Sequence, residues 1–96
     1  MSEDEPTPDD VVEVPITEEF DLHSFDPRDI PALVGEYLDR CHDKGFRSVR
    51  VIHGRGRGVQ RAVVRRALAA RSDIESFEDA PPGLGGWGAT LVRLRY

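Results

Sequence analysis

Two histidines and one aspartate carry the chemistry that this sequence could perform. His23 closes the run Phe20-Asp21-Leu22-His23, and His53 closes Ser48-Val49-Arg50-Val51-Ile52-His53. An unperturbed imidazole titrates near pH ~6.5, so one can serve as base and another as acid near neutrality. Asp21 stands two residues before His23. On a strand the two side chains share a side, where the carboxylate can orient an imidazole or bind a cation. A histidine at a strand end also caps or packs, and that structural reading stands beside the chemical one.

His53 opens a glycine-rich loop, Gly54-Arg55-Gly56-Arg57-Gly58. Between a strand and a helix, such a loop lets backbone amides approach an anion, and the helix N-terminus adds positive potential. Arg55 and Arg57 can pair with phosphate oxygens. The loop lacks the Gly-Lys-Ser/Thr ending of a P-loop, and a third glycine at the offset of a dinucleotide fingerprint. A tight turn with no ligand would use the same glycines. A phosphate cradle beside two histidines and a carboxylate suits cleavage of a phosphodiester. Either His53 or His23 could activate the nucleophile.

One cysteine and three scattered histidines do not make a structural zinc site. Asp21, Asp26 and Asp79 are the acids expected near this chemistry, fewer than a two-metal nuclease normally uses. No cofactor is required by the sequence, and a divalent cation (Mg or Mn) stays open. The single tryptophan lies in Gly85-Gly86-Trp87-Gly88. It admits two roles, a stacking surface for an unpaired base or a hydrophobic lid over the sheet end.

The charge pattern names the class of partner. Residues 1–19 hold eight acids and no Lys or Arg, whereas residues 20–96 hold all 13 basic residues and the other ten acids. From Lys44 to Arg71 nine cations follow one another with no acid between them. An acidic tail beside a basic domain points to an anionic partner, DNA or RNA first. Arg61 and Arg65, on the outward face of a helix, extend the basic surface begun by Arg55 and Arg57. Solvated helix faces alone would give the same pattern.

These residues need a scaffold, and 96 residues allow one domain with one modest core. No apolar run is long enough for a membrane span. The acidic N-terminus has no hydrophobic signal region, and one cysteine excludes an internal disulfide, so the expected compartment is the cytoplasm. The proline-bearing, acidic stretch 1–13 is expected to be disordered, with the folded domain at 14–96. Strands are expected at 20–23, 48–53, 74–78 and 89–96. A helix over 28–43 follows from Ile30, Leu33, Val34, Tyr37, Leu38 and Cys41, with Asp26 as N-cap and Pro27 at the first position. A second helix over 59–70 is expected to bury Val59, Val63, Ala67 and Ala70. The order β-α-β-α-β-β predicts an α/β two-layer sandwich with a four-stranded mixed sheet. Its first three strands should be parallel, bringing His23, His53 and the 80–88 loop to one sheet edge, where they should face one another.

Three motifs in order resemble the small MutS-related (Smr) domain family. They are Phe20-Asp21-Leu22-His23-Ser24, His53-Gly54-Arg55-Gly56 and Gly85-Gly86-Trp87-Gly88-Ala89-Thr90. Ser24 departs from the glycine usual in the family. The resemblance covers about 14–96 and looks like a stand-alone member. It implies a fold similar to the C-terminal domain of translation initiation factor three, and DNA-nicking or RNA-cleaving endonuclease activity as in some members; the residues are read here as an endonuclease of low sequence specificity. It assigns candidate catalytic roles to Asp21, His23 and His53. Contact with nucleic acid falls to Gly54, Arg55, Gly56 and the 85–88 loop with Gly86 and Trp87. The expected protein is a monomer that acts on DNA or RNA. The other reading is a non-catalytic nucleic-acid-binding or ribosome-binding module.

Overall fold

The computed structural model describes residues 18–56 and 58–96. The acidic segment 1–13, the domain start at 14–17 and Arg57 lie outside the described residues. The elements are β1 (Glu18–Asp21), α1 (Ile30–Asp43), β2 (Ser48–Ile52), α2 (Val59–Ala69), β3 (Ile74–Asp79) and β4 (Ala89–Leu94), with 3₁₀ turns at Pro82–Leu84 and Gly86–Gly88. This is the expected β-α-β-α-β-β order. The sheet runs β1-β2-β4-β3. β1 is parallel to β2, and β4 is antiparallel to both of its neighbours. β3 therefore points the same way as β1 and β2, and the carboxyl ends of all three share one edge.

The register lines up one apolar face: Phe20 beside Val51, Val49 beside Val92, and Phe77 beside Val92. Phe20 stacks on Tyr37 of α1 with ring centroids 4.6 Å apart, and Arg65 of α2 lies over Phe77. Both helices thus cover this face, giving the two-layer mixed sandwich. Leu22, Val34, Leu38, Val49, Val51, Val64 and Val92 are fully buried between the layers. Each contributes about 1.5–3 kcal/mol by leaving water. Among the described residues no helix is long and apolar enough to cross a membrane.

Two local expectations need correction. The first helix starts at Ile30, and its N-cap is Asp29, which makes no side-chain capping bond. Asp26 instead folds onto Arg28, accepting from its backbone N at 2.9 Å and pairing with its guanidinium at 2.9 Å. That local turn takes the carboxylate away from the helix. Pro31 still falls in the first turn, where a missing N–H costs no bond. In α2 the buried residues are Val64 and Leu68, with Val63 and Ala67 packed partly against the core. Val59 is 56% exposed and Ala70 is exposed too. The stripe is rotated by one residue because seating Leu68 removes more apolar surface than seating Ala70.

Candidate functional site

β1 ends by delivering Asp21 and His23 together. The Asp21 carboxylate accepts from the His23 backbone N at 3.1 Å and makes a short hydrogen bond with Nδ1 of the ring. Both side chains are more than half exposed. The bonds from His23 hold the Asp21 carboxyl below the usual carboxylate range. An ionised carboxylate can only accept, so Nδ1 carries the hydrogen, and in the neutral form of the ring Nε2 holds the lone pair. This pair has the form of a base whose tautomer is fixed by its neighbour.

The turn after β1 is pinned from α2. Gln60 Nε2 donates to the carbonyls of His23 at 3.1 Å and Phe25 at 2.9 Å. Phe25 N closes the turn onto the Leu22 carbonyl at 3.0 Å. Ser24 sits in this turn, and no described residue other than glycine has a positive φ. The backbone at Ser24 therefore does not require glycine.

His53 follows a different course. It is 2% exposed. Its Nδ1 lies 2.9 Å from the Gly54 carbonyl and its Nε2 lies 2.9 Å from the Thr90 hydroxyl. A carbonyl only accepts, so Nδ1 is the donor and Nε2 accepts from Thr90. Burial pushes the imidazole below the ordinary histidine range, and Arg61 and Arg65 act in the same direction against the opposing Gly54 bond. The two imidazoles thus hold separate partners. His53 is turned inward onto Thr90 of β4, while His23 sits exposed in the turn after β1.

The two glycine loops interlock. The Gly88 carbonyl accepts from His53 N at 3.1 Å and from Gly54 N at 2.9 Å. Gly54 has φ +84°, and a Cβ there would come 3.3 Å from the His23 Cβ. Glycine at this point lets β2 pass close to the Asp21–His23 pair. A Cβ on Gly88 would stand 2.9 Å from Cγ of Arg55, and one on Gly86 would stand 3.1 Å from the Arg55 guanidinium. Arg55 therefore lies along the bare backbone of the 86–88 turn and stays exposed. Beside it a cavity of about 280 Å³ opens, lined by His53, Gly54, Arg55, Gly56, Gly58 and Gln60 among others.

Arg61 and Arg65 converge on one carboxylate. Asp79 Oδ1 accepts from Arg61 Nε at 3.1 Å, from its terminal nitrogen at 2.8 Å and from Arg65 at 2.6 Å. The Arg61 guanidinium also lies over the Trp87 ring, 5.5 Å from its centroid. These contacts hold the Asp79 carboxyl below its usual range, Arg61 first. The outward face expected of Arg61 and Arg65 is thus partly occupied, whereas Arg66 is exposed.

The sequence-derived residues Asp21, His23, His53, Gly54, Arg55, Gly56, Arg61, Arg65, Gly86 and Trp87 all lie at or beside one sheet edge; Arg57 is outside the described residues. Gln60, Thr90 and Asp79 complete the arrangement. Thr90 had a signal in the Gly-x-Gly-Ala-Thr motif and Asp79 in its strand-end position, whereas Gln60 had none. Among the described residues no three His, Cys, Asp or Glu side chains group to hold a metal ion. Asp26 is committed to Arg28 and Asp79 to two arginines. Asp21 is likewise committed, through Oδ1, to His23.

Comparison with known proteins agrees with this fold. The chain is 39% identical over 77 residues to "Endonuclease MutS2" of Thermus thermophilus, covering 80% of this chain and 10% of that protein. It is 34% identical over 88 residues to the Aquifex aeolicus protein of the same name, covering 88% of this chain and 12% of the relative. The chain thus spans about a tenth of the length of these curated relatives. The crystal structure of the Smr domain of Thermus thermophilus MutS2 superposes with a TM-score of 0.80 at 38% identity, over 83% of this chain and all of that one. YdaL, a stand-alone small MutS-related protein from Escherichia coli, superposes with a TM-score of 0.77 at 28% identity, over 81% of this chain and 64% of that one. The model of the Smr domain family matches residues 20–95, and with that span inside the fold just described, the chain belongs to the Smr domain family.

Proposed function

We propose that this sheet edge binds a strand of DNA or RNA and cleaves its phosphodiester backbone with little sequence specificity. The observation that carries the reading is the exposed Asp21–His23 pair set against a glycine loop with Arg55 laid across it. Asp21 holds the His23 ring with Nε2 free to take the proton of the attacking hydroxyl or water. The Arg55 guanidinium, with the backbone amides of Arg55 and Gly56, then stabilises charge gathering on the phosphate. Arg61 and Arg65 extend the positive surface along the strand. His53, buried and saturated by Gly54 and Thr90, keeps the loop in register and is a positioning residue in this scheme. The endonuclease names of the relatives support the same class of reaction.

A second reading is a module that grips nucleic acid, or a ribosome, without cutting. The burial of His53 favours it, because one exposed imidazole supplies a base and no separate imidazole acid. Incubating the purified chain with plasmid DNA and with structured RNA, with Mg²⁺ or with a chelator, separates the two. Cleavage that disappears in His23→Ala supports the nuclease. Tight binding to both substrates with neither cut supports the module.

A further inference from the structure

The Trp87 ring is held in an unusual way for a side chain between glycines. Arg61 lies over it at 5.5 Å from the centroid, within the range of a cation–π contact. Gly58 approaches the edge of the ring, since a Cβ there would meet Trp87 at 3.5 Å. Trp87 as a residue is still 41% exposed, and it does not belong to the buried core cluster. A ring so exposed is open to a ligand even where it also covers the sheet end. An exposed indole backed by a guanidinium offers a flat π surface with positive charge beneath it. Bases in a duplex hide their faces in the stack, whereas an unpaired base presents one.

We infer that Trp87 is a stacking platform for an unpaired nucleotide, and that Asp79 is the positioning residue that sets it through Arg61. The inference rests on the nucleic-acid reading above and names its substrate class, single-stranded or locally opened strands. Asp79 Oδ1 takes two bonds from Arg61 and one from Arg65, which fixes the Arg61 plane against the indole. The Gly86–Gly88 turn that bears Trp87 also carries Arg55 on its backbone, so a base on the indole places its own phosphates near that guanidinium.

Trp87 is the only tryptophan of the chain, so its emission reports on this ring alone. The full chain is titrated with oligothymidylate and with a blunt-ended DNA duplex of equal phosphate content. The single strand should quench the emission, and the duplex should bind with little quenching. Trp87→Ala should weaken single-strand binding by roughly 5- to 100-fold and duplex binding by much less. Trp87→Phe should recover part of that loss. Asp79→Asn should alter the emission of the free protein and reduce the quench, and Asp79→Glu should restore both. Equal quenching by duplex and single strand, or an unchanged single-strand affinity in Trp87→Ala, overturns the platform. An Asp79→Asn protein with wild-type emission and affinity overturns the positioning role. Quenching without cleavage would count against the nuclease reading alone, and cleavage without quenching against the platform alone.

Discussion

The imidazole of His53 and the hydroxyl of Thr90 lie 2.9 Å apart, and both residues are buried. The bond joins the end of β2 to the start of β4 immediately below the glycine loop. Because the other ring nitrogen is held by Gly54, Thr90 is the donor that satisfies His53 Nε2.

Replacing Thr90 with Val keeps the shape and removes that donor. A buried ring nitrogen left without a partner costs about 1–3 kcal/mol. Thermal denaturation should show Thr90→Val melting several degrees lower, with the sheet retained by circular dichroism. A melting temperature equal to wild type would show that the bond carries no stability.

The buried His53 also predicts how stability depends on pH. Its folded-state affinity for a proton lies below the ordinary value, with desolvation the first cause. In the unfolded chain it titrates near pH ~6.5. Below that pH the unfolded state binds a proton that the folded state resists, so stability falls as pH drops. The stability is fully present above about pH 6.5 and is lost as pH falls towards the folded-state pKa. Urea midpoints compared at neutral and mildly acidic pH should fall less in His53→Gln than in wild type. Parallel pH slopes in the two proteins would count against a buried neutral imidazole.

The Asp21–His23 pair is exposed, so its substitutions should separate chemistry from folding. His23→Ala should slow cleavage by roughly 10²- to 10⁴-fold. Asp21→Asn should slow it as well, since it keeps the shape and loses the charge that fixes the ring. Both should melt close to wild type, as exposed positions usually change stability by about 0.5 kcal/mol or less. Gel cleavage assays run beside melting curves decide the matter. Activity lost only in proportion to stability would make the pair structural.

Gly88 gives a test of how Arg55 is held. A methyl group at Gly88 would press on Cγ of Arg55 at 2.9 Å, too close for the arginine to keep its course. Gly88→Ala should therefore weaken nucleic-acid binding as Arg55→Ala does, and the double variant should lose little more than either. Replacing Arg55 and Arg57 together should flatten the dependence of log affinity on log salt by about one to two units. Additive losses in the Gly88 and Arg55 variants would show that the arginine does not depend on the turn.

The architecture was legible in the sequence because it depends on local periodicity. Ile30, Val34, Leu38 and Cys41 mark α1 at helical spacing, and the alternation of Val49 and Val51 marks β2. The convergence of His23, His53 and Trp87 followed from three strands ending at one edge. What could not be read depends on pairings between distant segments. Gln60 reaches His23 across 37 positions, and Thr90 reaches His53 across the same separation. Nothing in the residues around His53 says that β4 will bury it. The start of α1 was misplaced because Asp26 has two local uses, a cap or a turn with Arg28, and only the folded backbone chooses between them.

The placement of β4 has a consequence for the order of events during synthesis. Although Ala89–Leu94 is last of the elements along the chain, it occupies an interior place between β2 and β3. A ribosome that has made everything up to β3 has made two sheet fragments with a gap between them. The Gly88 carbonyl and the Thr90 hydroxyl, which organise the site, are also still to come. Pairings of such sequence separation form late and slowly. The cleft at this sheet edge is thus assembled only after β4 has left the exit tunnel.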